Sequence, residues 1–267
     1  MLANELRPGS QHSEKGAIEF VERCLDMTAR LGLDPETLLV RVDAAHDDQK
    51  FISALLNQNV KFLIKRNLRR ESPEKYLAMA RRFGQKQQSR DGKNVYRCIL
   101  SHIKPDGLED EPMFVIAEVT ERLTDHDGQP LLVPDLEVST WWTNLCEYEA
   151  DCIRLYHNHA TSEQFHSELK SDMGIERLPS GKFATNALIL NLATLSYNCL
   201  RILGQRALQM KELLPRKFEV SRRRLRSVMR DLIHIACKVV SHGNRKYLKF
   251  GRHCPWFKVF KELHATC

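Results

Sequence analysis

The chain has 267 residues, 42% of them hydrophobic, enough for one large domain or two small ones with a sizeable core. Its net charge of +7 and pI near 9.0 favour a polyanionic partner, nucleic acid above all, over acidic small molecules. Eight scattered cysteines form no Cys-x-x-Cys pair, and no secretory leader is evident, so reduced thiols in the cytoplasm are expected.

In chain order, the turn-like Arg7-Pro8-Gly9-Ser10 comes first. A helix is predicted from Ser13 to Leu31, where Ile18, Val21, Leu25, Thr28 and Leu31 keep the helical period and Gly32 stops it. Leu38 to Val42 reads as a buried strand, parallel to its neighbour because helices flank it, and it ends in Asp43. A helix over Asp48 to Gln58 and a strand over Val60 to Lys65 complete a strand-helix-strand crossover. Ser72 to Phe83 is a further helix. The pattern then turns to strands at Tyr96–Ile103, Met113–Arg122 and Leu131–Leu136, punctuated by Asp91-Gly92, Pro105-Asp106-Gly107 and Asp127-Gly128. Val138 to Leu145 is another strand, with Trp141 and Trp142. Helix resumes at Glu147 and runs through Lys170 to Met173. After Pro179-Ser180-Gly181, residues 184 to 204 read as a buried core helix, since Asn186, Asn191, Ser196 and Asn198 argue against a membrane span. The last third is basic, with a helical apolar stripe at Leu225, Val228, Met229, Leu232, Ile233 and Ala236. The boundaries expected are 1–83, 84–137 (β-rich), 138–204 and 205–267 (basic and helical).

Five constellations stand out. Asp43 closes a buried strand, where open α/β sheets place their ligands, and it equally suits a helix N-cap; Asp47 and Asp48 favour the cap. On the helix after Glu147, Tyr156, His159, Glu163 and Lys170 fall at offsets of three, seven and fourteen, one polar stripe where a core-facing stripe would be apolar. A solvated face with i,i+4 pairs is the bland alternative. Paired with Asp43, Glu163 suggests two divalent metals of the kind that stabilise both oxygens of a phosphodiester exchange. Cys146, Cys152, His157 and His159 have zinc-like donors in no common spacing, so structural thiols and solvated histidines are the better reading. Arg222, Arg223, Arg224 and Arg226, in a dense same-sign run, suit DNA phosphate contact, against the common alternative of a solvated charged face. Trp141, Trp142 and Trp256 are candidates to stack on a displaced base, but adjacent strand tryptophans point to opposite faces, so at least one belongs to the core.

The spacing Tyr156, two residues, His159, three residues, Glu163, six residues, Lys170 resembles the tyrosine-arginine-glutamate-lysine signature of the DDE transposases of bacterial insertion sequences, with histidine in place of the arginine. Leu39-Val40-Arg41-Val42-Asp43 resembles the strand carrying that family's second aspartate, Phe62 to Arg66 the strand after it, and Thr143-Asn144-Leu145 the entry to the glutamate helix. The similarity spans essentially the whole chain, Glu5 to His12 included. It implies an α/β, ribonuclease-H-like core, incomplete at its N-terminus, with a β-rich insertion and a basic helical C-terminal region. It implies Mg2+ (or Mn2+) held by Asp43 and Glu163, DNA phosphate contacts from Lys170 and protonated His159, and Tyr156 positioning a phosphate. Transposon-end and target DNA would be the partners, with two subunits in a synapse, in the bacterial cytoplasm near the nucleoid and with no membrane. The family's first aspartate would lie on a strand before residue 1, so the expectation is a truncated transposase, inactive alone, with an exposed sheet edge. A non-catalytic DNA-binding fragment that inhibits transposition is the alternative.

Overall fold

The computed structural model describes residues 1–11, 14–158, 160–217 and 219–266, in two compact units: Pro8–Ala160, and Met1–Arg7 with Thr161–Cys267.

The Pro8–Ala160 unit is built on one mixed sheet. Helix α1 (Ala17–Arg30) precedes β1 (Leu39–Val42), α2 (Gln49–Asn57) and β2 (Lys61–Lys65). Then come α3 (Pro73–Phe83), β3 (Gln85–Arg90), β4 (Lys93–Leu100), β5 (Phe114–Thr124), β6 (Pro130–Thr143) and α4 (Glu149–His157). The strand order is β1-β2-β6-β5-β4-β3; β1 and β2 run parallel, as their helix-bounded pattern predicts, and the other pairs are antiparallel. The strands expected at 131–136 and 138–145 are one strand, β6; Pro134 falls in its exposed part, between Pro130 and Asp135, where the register to β5 shifts. The β-rich piece continues the same sheet through β6, which pairs with both β2 and β5, and the expected boundary at 137 falls inside that strand.

Alternation along the strands sorts side chains between two cores. Phe62, Ile64, Val115, Ala117, Val119 and Trp142 join Phe51, Ile52 and Leu55 of α2 and Tyr76 and Ala80 of α3. Leu63, Ile116 and Trp141 point the other way, onto Cys152 and Ile153 of α4. Helices thus cover both faces of this sheet. Strand β1 is its outer member, short and half-buried along its length.

The other unit contains α5 (Ala160–Ser167), running into a π-helical turn at Glu168–Asp172, then α6 (Phe183–Gln209) and α7 (Leu225–Val228), which runs into a second π turn at Met229–Ile233. A hairpin of β7 (Cys237–His242) and β8 (Arg245–Phe250) and a final helix α8 (Phe257–Ala265) close it. The basic region is therefore not helical throughout. Gly243 and Asn244, at φ 55° and 61°, make the left-handed two-residue turn that matches strand twist, a Gly-Asn signal the arginine and lysine density obscures.

Helix α6 is not the fully buried helix expected. Tyr197, Gly204 and Ala207 pack inward, while Leu188, Leu192, Leu195 and Ile202 are exposed. It is long and apolar enough to cross a membrane by length and composition, yet its inner side is committed to Leu225, Val228 and α8. Its polar positions have local duties. Asn186 exchanges hydrogen bonds with the Ser180 backbone (3.1 and 2.6 Å), and Asn198 donates to the Met1 carbonyl at 2.8 Å and accepts from the Met1 amine at 2.8 Å.

Candidate metal and phosphate site

Asp43 follows β1 at the C-terminal end of the parallel pair. Its Oδ1 accepts from the Ala45 amide at 3.1 Å and lies 3.2 Å from His46 Nδ1, capping a three-residue 3-10 turn. The side chain is 73% exposed, so its second oxygen faces solvent. Asp43 is therefore a cap through one oxygen and leaves its carboxylate largely open to solvent.

The neighbouring aspartates divide differently. Asp48 caps α2, accepting from the Phe51 amide at 3.0 Å. Asp47 is not a cap. It accepts from the Trp142 indole N–H at 2.7 Å and from the Asn67 amide at 2.8 Å, tying the loop after β1 to β6 and to the loop after β2.

Tyr156, on α4, rests its ring 5.5 Å from that of Trp141. Burial raises the pKa of its hydroxyl, and the nearby charge of Asp43 raises it further, so the phenol stays a neutral donor beside that carboxylate. The expected single helix through Tyr156 and Lys170 is two helices, α4 and α5, each packed into its own core: Tyr156 beside Trp141, Phe165 beside Leu169 and Tyr197. The four-residue stripe is therefore not one helix face. His159 lies outside the described residues.

Glu163 and Lys170 do share a face. With His166, Ser167, Ser171 and Glu176 they line an open cleft of about 580 Å³. Two carboxylates, one ammonium and one imidazole thus border the same solvent-filled space.

The opposite face of that helical segment holds two acids that the sequence pattern did not single out. Glu168 is buried and accepts from the Leu225 amide at 3.1 Å, the Tyr197 hydroxyl at 3.2 Å and the Arg222 guanidinium. Asp172 accepts two bonds of 2.9 Å from Arg224 and one of 3.1 Å from the Arg226 amide. Their i,i+4 spacing, half a turn away from Glu163, is the signal that was available.

These contacts correct the expectation for the arginine run. Arg222 is spent on Glu168 and Gln164 and stacks over Phe165 at 4.6 Å. Arg223 is buried over the Trp256 ring and paired with Asp231, so it cannot reach a DNA phosphate. Arg224 is forked onto Asp172. Arg226 keeps a 73% exposed side chain, 3.9 Å from Asp172. Three consecutive arginines of the run are recruited inward, Arg222 and Arg224 by Glu168 and Asp172 and Arg223 by Asp231.

The other constellations dissolve. All three tryptophans are buried, which removes them from base stacking. Cys152 is buried, with its thiol pushed up to about 11, chiefly by burial; it is a core thiol and not a zinc ligand. Among the described residues the one trio of ligand atoms within 4.8 Å is Asp125, His126 and Asp127, in an exposed turn.

A family model described as Transposase DDE domain group 1 matches residues 1–267, the full chain. No individually curated protein matches it.

Proposed function

Because the chain belongs to the Transposase DDE domain group 1 family, we propose that it cleaves and transfers the DNA strands of an insertion sequence, with Asp43 and Glu163 as ligands for Mg2+ or Mn2+. The donor chemistry suits such ions. Both candidates are carboxylates with oxygen open to water, and Mg2+ takes few protein oxygens and keeps its waters. When bound, the cations supply Lewis-acid stabilisation of the attacking and leaving oxygens.

The residues around them hold and orient the DNA. Lys170, lining the same cleft as Glu163, attracts a phosphate beside the carboxylate without an arginine's fixed fork. Tyr156 offers a neutral hydroxyl next to Asp43. The ribonuclease-H-like reading is supported by the parallel β1–β2 pair with an acid at its C-terminal end and helices on both faces. The observation that carries the proposal is the open cleft lined by both Glu163 and Lys170, in a helical segment whose other two acids, Glu168 and Asp172, are satisfied internally.

Metal-directed backbone cleavage tests the assignment. Fe2+ in place of Mg2+, with peroxide and ascorbate, should cut the chain near residues 43 and 163, and Asp43→Asn or Glu163→Gln should abolish both sets of cuts. The same variants should lose Mg2+-dependent nicking of transposon-end DNA. Cuts near one residue alone would remove the other from the site. Salt-sensitive DNA binding with no metal-dependent nicking would favour a non-catalytic DNA-binding role.

A further inference from the structure

From Asp231 to Glu262 the chain has no acidic residue, and it carries seven lysines and arginines in between. Four of these lie on the β7–β8 hairpin, where every residue from Ser241 to Lys249 is exposed. The register decides how the charges are displayed. Lys238 stands opposite Lys249, Val240 opposite Tyr247, and His242 opposite Arg245, and cross-strand partners share a face. One face therefore carries two directly opposed lysines, a tyrosine and a histidine-arginine pair.

Such a face works against folding. Like charges directly opposite one another destabilise an antiparallel pair, and a lone two-stranded hairpin is marginal in water. The hairpin is nevertheless secured at both ends. Gly243 and Asn244 set a twist-matched turn at the tip. At the base, Phe250, on the opposite face, packs 5.3 Å from Phe257 and 5.0 Å from Phe260 of α8, whose Val259 and Leu263 sit in the core. An anchored ribbon with concentrated positive charge suits an anion that spans several residues.

We propose that the β7–β8 ribbon is a DNA-docking arm that lays its Lys238, Lys249, Arg245 and Tyr247 face into a groove of duplex DNA. This rests on the reading that the chain acts on DNA. Each strand of six residues is about 20 Å long, and two paired strands fit a major groove about 12 Å wide. The like-charge cost of the free ribbon is relieved when phosphates neutralise it, so the same residues that weaken the hairpin alone strengthen it on DNA. The charged groups of the ribbon supply position along the duplex, and Tyr247 lies between them on the same face.

The test uses the full chain and a fluorescent 30-bp duplex at several salt concentrations. A variant with Lys238, Arg245 and Lys249 changed to alanine should bind at least about ten-fold more weakly at low salt, with a log–log salt slope smaller by about 2–3. Lys238→Arg with Lys249→Arg should bind within about two-fold of the parent, because charge is kept. Val239→Ser with Leu248→Ser, on the other face, should leave affinity unchanged. Thermal melts of each variant confirm the fold. Unchanged affinity and slope in a folded triple variant would overturn the arm and leave the transposase reading standing. No salt-sensitive duplex binding by the parent chain would overturn both. Binding to phosphatidylserine vesicles in preference to DNA, or loss through the Val239 and Leu248 face alone, would also overturn it.

Discussion

Arg224 grips Asp172 with two parallel contacts, Nε to Oδ2 and Nη2 to Oδ1, each 2.9 Å. The Asp172 side chain is fully buried, and the fork fastens the segment after residue 221 to the helical turn that follows Glu163 and contains Lys170. Two oxygens of the same chain thus do opposite work: Asp172 faces inward to hold the helix in place, and Glu163 faces outward into the cleft.

The pair has a pH signature. The Arg224 hydrogen bonds hold the Asp172 carboxyl below its usual value. A carboxyl depressed in the folded state contributes stability above its unfolded value of about 3.9, and that contribution is lost as pH falls through the lower, folded value. Asp172→Asn should therefore lower the thermal midpoint at pH 7 and flatten its further fall below about pH 4. Melts of parent and variant across that range check it; parallel curves would mean that Asp172 does not carry the acid limb.

Two glutamates five residues apart should separate function from fold. Glu168→Gln weakens a buried acceptor that serves Arg222, Tyr197 and the Leu225 amide, at a cost of about 3 kcal/mol. Glu163→Gln changes an exposed side chain and should shift stability by less than about 0.5 kcal/mol while removing metal-dependent cleavage. Urea titrations beside a nicking assay give both readouts. A stable Glu168→Gln, or an unstable Glu163→Gln, would reverse the assignment of faces.

Much of the first unit is legible in the sequence because its signals are local. The Leu38–Val42 run, the caps and the turn glycines each fix their own element, and flanking helices announce a parallel pair. The second unit is harder. Its arginines look alike as letters, and which of them faces water depends on Glu168, Asp172 and Asp231, up to 54 residues away or in the adjoining turn. The stripe from Tyr156 to Lys170 reads as one helix because spacing alone does not reveal that its two ends belong to different cores. The hairpin was hidden for a related reason: its strands carry lysine and arginine where half-buried strands carry alternating apolar residues.

The aspartates after β1 allow a similar partition. Asp47→Ala would orphan the Trp142 indole N–H and the Asn67 amide, at a cost of about 2–4 kcal/mol. Asp43→Ala removes a solvent-exposed cap of a three-residue turn and should cost less than about 1 kcal/mol. Denaturant midpoints should fall far more for Asp47→Ala, whereas divalent-ion binding by calorimetry should fall for Asp43→Ala. Equal stability losses would show that Asp43 holds the loop as firmly as Asp47.

The arginine run gives the last contrast. Arg223 lies buried over Trp256 at 4.3 Å and shares Asp231 with Arg230, whose Nε is 2.7 Å from the same carboxylate. Arg223→Ala leaves Asp231 with one partner and opens space over the indole, so a loss of about 2 kcal/mol is expected. Arg226 has its backbone amide on Asp172 and its guanidinium mostly in solvent. Arg226→Ala should leave the melt unchanged and reduce the DNA salt slope by about 1 if the group meets a phosphate. Opposite behaviour, with a destabilised Arg226→Ala and a stable Arg223→Ala of weakened DNA affinity, would mean that the run faces DNA with the other side.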